Sequence, residues 1–99
     1  MNISLEAHVA VSKEVLLQEI AGEGVLLDLK SETYFGLDEV GTRIWRLVEN
    51  DGHLKVVHAK LLGEYDVESA RLEQDLTELI GRLAEAGLVN VETKRADEA

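Results

Sequence analysis

The chain has 99 residues, 45% of them apolar, which describes one domain with a packed core and excludes both a disordered chain and two independent domains. It contains no cysteine, so disulfides, thiolate metal sites and cysteine nucleophiles are excluded, and a reducing compartment fits. Twenty acidic residues against ten basic ones give a net charge of −10, which argues against nucleic acid and anionic membranes as partners, because that affinity comes from Lys and Arg displacing counterions.

The first thirty residues have no basic start followed by a long apolar run, and no apolar stretch approaches a membrane span. A cytoplasmic protein is therefore expected. In chain order, an N-terminal segment over 1–13 includes a short extended piece at His8–Val11. Val15–Ile20 is apolar and β-branched and reads as a first strand. Gly22-Glu23-Gly24 interrupts it as a hairpin turn. Val25–Lys30 is a second strand, with Val25, Leu27 and Leu29 on one face and Leu26, Asp28 and Lys30 on the other. After a turn at Ser31-Glu32, Thr33–Leu37 forms a third strand, antiparallel to its neighbour because the connection is short.

From Asp38 the apolar period becomes helical. Asp38 can cap a helix over 39–49 whose stripe is Val40, Ile44, Leu47 and Val48. Leu54, Val57, Leu61 and Leu62 mark a second helix, with His53 a weak residue at its start and Gly63 at its close. Asp66 is placed to cap a third and longest helix, whose stripe is Leu72, Leu76, Leu79, Ile80 and Leu83 and whose end is Gly87-Leu88. Residues 91–99 read as a flexible tail. The fold class is α+β: a three-stranded antiparallel sheet followed by three helices, resembling a winged helix-turn-helix, with one sheet face packed on the helices.

No set of residues nominates a catalyst. His8, His53 and His58 stand at no familiar metal spacing, and His58 shares an apolar stripe, so it reads as a core-edge histidine. Ser4, Ser12, Ser31 and Ser69 sit in no nucleophile elbow. DNA binding fares no better: the third helix exposes Glu68, Glu73, Asp75, Glu78 and Glu85 against Arg71 and Arg82, the wrong sign for a recognition helix. No catalytic residue, metal or cofactor is expected.

Peptide binding fits the pattern better. Thr33–Leu37 carries neither charge nor proline, the usual guards of a sheet edge, and Gly36 lets another backbone approach. As an edge strand it could accept a peptide as a further strand. The third helix would be the second wall, with the inner atoms of Leu72, Leu76, Leu79 and Leu83 in the core and their outer edge on the groove, and Arg71, Asp75, Glu78 and Arg82 forming a charged ridge on its flank.

The run VLLDLKSETYFGLDEVGTRIW (Val25–Trp45), the turn at Asp51-Gly52, LLGEYDV (Leu61–Val67), Asp75-Leu76 and the closing AEAGLV (Ala84–Val89) together resemble the PqqD family of leader-peptide recognition domains. The resemblance covers about residues 14–90 and is nearest to the stand-alone proteins of lasso-peptide clusters, through Leu26-Leu27-Asp28, Tyr34-Phe35, Leu37-Asp38, Gly41 and Trp45. Asp38 replaces the usual Asn, and His53 stands where Ser or Thr is usual. The resemblance implies a non-catalytic protein that binds the leader of a ribosomally made precursor as an added antiparallel strand. It also implies that the precursor is presented to a separate transglutaminase-like cysteine protease, with a cyclase acting afterwards. Carried onto this sequence, the strand wall is Thr33, Tyr34, Phe35, Gly36 and Leu37, and the helix wall is Leu72, Asp75, Leu76, Leu79 and Leu83, with Arg71 and Arg82 at the rim. Trp45 is expected in the core, and as a protease docking point if exposed. Two other readings remain: a PqqD-like carrier for another peptide-modifying pathway such as quinone-cofactor synthesis, and a winged-helix regulator.

Overall fold

The computed structural model describes residues 3–93. The elements run β1 (Ala7–Val11), β2 (Val15–Ile20), β3 (Glu23–Asp28), β4 (Thr33–Leu37), α1 (Glu39–Asn50), α2 (Leu54–Glu64), α3 (Ser69–Glu85) and β5 (Val89–Thr93). The expected three-stranded sheet is β2-β3-β4, antiparallel throughout, followed by three helices, so the α+β class holds. No helix among the described residues is long and apolar enough to cross a membrane.

The register decides which sheet face is inside. Leu17, Leu26 and Phe35 align across the three strands on the helix side, and Leu26 is completely buried. Leu16, Leu27 and Tyr34 form the matching row on the outside, where Leu16 and Tyr34 are largely exposed. The more apolar side of this stretch therefore faces away from the helices: Val25 in β3 and Leu29 just beyond it are exposed, and Leu27 is half-buried. The β2–β3 turn is tighter than Gly22–Gly24: Ala21 and Gly22 both have positive φ, 55° and 86°, and the strand resumes at Glu23. Two such residues make the mirror-image turn whose twist suits a hairpin.

The helices follow the sequence pattern closely. Asp38 caps α1, its Oδ1 accepting from the Gly41 N–H at 2.7 Å. α1 buries Ile44, Trp45, Leu47 and Val48. Trp45 is 1% exposed, and its indole N–H has no hydrogen-bond partner among the described residues. It is a core residue and offers no docking point. α2 begins after His53, which makes no side-chain cap, and buries Leu54, Val57, His58 and Leu61. His58 is 7% exposed, and its Nε2–H donates to the Ser69 carbonyl at 3.0 Å, tying α2 to the start of α3.

Asp66 does not cap α3. The helix starts two residues later, after Glu68, with no side-chain cap. Tyr65 and Val67 are half-buried against the core, and Tyr65 and Glu68 are both extended, so core packing holds this segment out until Ser69. The other end of α3 is as expected. Gly87 lies at φ 79°, its N–H bonds the Ala84 carbonyl, and the Leu88 N–H bonds the Leu83 carbonyl. This is a Schellman closure, with Leu88 buried beyond it.

The main departure from the sequence reading is at the ends. β5 pairs antiparallel with β1, from Ala7 against Thr93 to Val11 against Val89. Val91, Glu92 and Thr93, expected in the tail, are thus a strand; the rest of the expected tail lies outside the described residues. Val89 is buried, and Ala7 and Val9 join it in the core. The ribbon closes the far side of the helices by pairing strand residues 78 to 86 positions apart in the chain, a pairing that no local pattern announces.

Candidate peptide-binding site

β4 is a true edge. It is the last strand of its sheet, and residues 33–37 make no main-chain hydrogen bond besides those to β3 among the described residues. The hairpin that delivers β4 is fixed by Asp28, which accepts from the Lys30 N–H at 3.0 Å and the Ser31 hydroxyl at 2.9 Å. The Ser31 hydroxyl, then the Lys30 N–H, hold the Asp28 carboxyl below the ordinary aspartate range.

Beside this edge lies a cleft of about 400 Å³. Phe35, Gly36 and Leu37 form its strand wall. Asp75, Leu79 and Arg82 face them from α3. The start of α1 provides the floor with Asp38, Val40, Gly41 and Ile44. Leu37 and Ile44 are buried, Phe35 and Leu79 half-buried, and Val40 is 37% exposed, so the cleft presents apolar surface to solvent. Arg82 spans the gap: its guanidinium carbon lies 5.3 Å from the centre of the Phe35 ring. That distance is within cation–π range and gives the two walls a direct link.

The structure distributes the expected residues unevenly. It brings Phe35, Gly36, Leu37, Asp75, Leu79 and Arg82 together in the cleft. Thr33 and Tyr34 lie on the same strand but outside it; Tyr34 is 74% exposed on the outer sheet face. Leu72, Leu76 and Leu83 point into the core, at 4%, 0% and 0% exposure, and present no edge to the cleft. α3 packs on α2 and β5, and of the four leucines only Leu79, one step around the helix, reaches the opening. Arg71 sits beyond the cleft, 3.8 Å from Asp75 in a solvent-exposed pair worth little. The α1 floor was not foreseen. Its one signal in the sequence is Val40, an apolar residue in the first turn spaced four before Ile44.

The family model described as coenzyme PQQ synthesis protein D (PqqD) matches residues 23–89, from β3 to the first residue of β5. Among solved structures, TbiB1 in complex with the TbiA(beta) leader peptide is 38% identical, with a TM-score of 0.76 over 81% of this chain and 93% of that one. A lasso peptide synthetase B1 complexed with the leader peptide is 25% identical, with a TM-score of 0.75 over 84% of this chain and 98% of that one. A search of curated proteins finds no match.

Proposed function

The chain belongs to the PqqD family, and on that premise we propose that it recognises the leader region of a ribosomally made precursor peptide in lasso-peptide biosynthesis. The leader adds to β4 as an antiparallel strand in the cleft against α3, and the chain presents it to a separate transglutaminase-like cysteine protease. The observation that carries this reading is the edge of β4, unpaired among the described residues, opening onto a cleft of apolar side chains flanked by Asp38, Asp75 and Arg82. Both similar solved structures are complexes with leader peptides, which supports the same occupant here.

The energetics fit recognition by a strand with anchors. Each main-chain hydrogen bond contributes about 0.5–1.5 kcal/mol, and ordering a flexible peptide offsets much of that. Net affinity then depends on apolar side chains entering beside Phe35, Leu79 and Val40, at about 1.5–3 kcal/mol for each well-buried anchor. A dissociation constant near micromolar, about −8 kcal/mol, is the expected scale. In this reading the chain performs recognition and orientation, and the bond-breaking steps belong to its partners.

The test is titration with the leader of the precursor encoded beside this chain's gene, following backbone amide shifts. Shifts confined to residues 33–41 and 75–82 support the reading; saturating leader with those amides unmoved overturns it. The family description favours a second reading, a carrier in quinone-cofactor synthesis. Neighbouring genes for a transglutaminase-like protease and an asparagine-synthetase-like cyclase select the lasso pathway, and their absence selects the other.

A further inference from the structure

The cleft is not electrically uniform. Four arginines fall within the described residues, at 43, 46, 71 and 82. Arg43 pairs with Glu64, Arg46 with Glu19 and Glu49, and Arg71 with Asp75. Arg82 alone has no carboxylate partner among the described residues. Glu78 and Glu85 stand one turn before and after it on α3, within the usual reach of a helical ion pair, yet neither is paired with it. Its guanidinium is instead laid over Phe35 at the cleft wall. A cation that no described residue pairs, in a chain of net charge −10, stacked on a ring and lining an open cleft, is poised for an anion that none of the described residues supplies.

Along their own elements, the acids of the cleft are separated from Phe35 and Arg82. Asp38 is three residues beyond Phe35 along the chain, and Asp75 is two turns from Arg82, about 10 Å along α3. The Asp38 carboxylate is oriented by the Gly41 N–H, and among the described residues Asp75 has only the 3.8 Å contact to Arg71. A strand added antiparallel to β4 passes Asp38 and Leu37 first and reaches Phe35 and Arg82 later. We propose that the cleft reads charge order as well as apolar side chains, taking a peptide with an acidic side chain on Arg82 toward its C-terminal end. A basic or neutral residue lies two or four positions earlier, near Asp38, since side chains on one face of a strand recur every two residues. This rests on the leader-binding reading and names the specificity of the same cleft.

The test is a display selection of random twelve-residue peptides on the unmodified protein and on Arg82→Glu, with recovered peptides checked by amide shifts at residues 33–37. Arg82 is exposed, and equal melting temperatures of the two proteins confirm that both are folded. The expected result is one position enriched in Asp and Glu on the unmodified protein that becomes enriched in Lys and Arg on Arg82→Glu. A recovered acidic peptide should bind Arg82→Glu about tenfold more weakly, and its lysine-substituted form should regain that factor. Peptides that shift residues 33–37 but show no acidic position, or bind both proteins equally, overturn the charge reading and leave strand addition standing. If no recovered peptide shifts those amides, the leader-binding reading falls as well.

Discussion

β1 and β4 are both five-residue strands, each with one edge paired into its own sheet. Their second edges are treated differently. The α1–α2 turn is pressed against β1: the Val9 N–H bonds the Gly52 carbonyl at 2.8 Å, and His8 bridges to His53, whose ring meets the His8 ring edge to face at 4.7 Å. The approach is so close that a β-carbon on Gly52 would stand 1.9 Å from the Val9 carbonyl oxygen. Nothing among the described residues does this for β4, and a cleft lies where a sealing segment would be. The outer strand β2 has a third solution, charge: its Glu19 is tied to Arg46, and Lys13 and Glu14 precede it. Set beside these two guarded edges, the uncharged edge of β4, unsealed by any described residue, is the exception, and it is the feature that the proposed strand addition requires.

Breaking the sealed edge should have the largest effect. Gly52→Ala forces the turn away from β1, and a loss of about 3 kcal/mol is expected, seen as a fall in melting temperature of about 10 °C or more. An unchanged melting temperature would mean that the turn does not hold β1. At the open edge the expected pattern is reversed, with binding lost and folding kept. Leu79→Asp should weaken leader binding more than about tenfold while shifting the melting temperature far less than Gly52→Ala does. Unchanged affinity, measured by calorimetry, would remove α3 from the binding wall. Gly36→Val should act more mildly. A β-carbon there meets nothing within 4 Å, so the free protein tolerates it, while an incoming strand meets added bulk; about threefold weaker binding is expected by fluorescence anisotropy.

The smallest expected effect compares two carboxylates, one behind each edge. The Asp51 carboxyl is held below its ordinary range by the His53 backbone N–H first and the His53 ring second, in the turn that seals β1. Asp28 is held low in the hairpin that delivers β4. A carboxyl whose folded value is depressed stabilises the fold above its unfolded value and loses that contribution as pH falls through the folded one. Asp51→Asn and Asp28→Asn should therefore be less stable than the unmodified protein at pH 7. Each gap should narrow below about pH 4 and close once the native carboxyl is protonated, as read from urea midpoints across pH. A gap that stays constant down to pH 2 would show that these hydrogen bonds do not depend on charge.

Much of this architecture was legible before folding. Asp38 followed by Val40 and Ile44, and Gly87 followed by Leu88, are local signals, and both ends behave as they read. The hairpin arrangement of β2, β3 and β4 also follows from short connections. Asp66 misled because capping chemistry competes with packing, and the half-buried Tyr65 and Val67 hold the chain extended past it. The cleft was legible as a strand facing a helix, but its membership was not. A stripe of leucines states which side of α3 is apolar; whether a given leucine meets the core or an opening depends on the neighbours that α3 receives.

What the sequence determined by itself is the set of local elements, the acidic surface, and the uncharged stretch at Thr33–Leu37. Periodicity, caps and charge are properties of residues a few positions apart. Tertiary structure alone decided three things. It turned Leu26 inward and left Val25 and Leu29 exposed. It paired β5 with β1 across the length of the chain. And it set Arg82 over Phe35 at the mouth of an open cleft. Each depends on contacts between residues distant in sequence, where burial is shared between partners and no single segment carries the information for both.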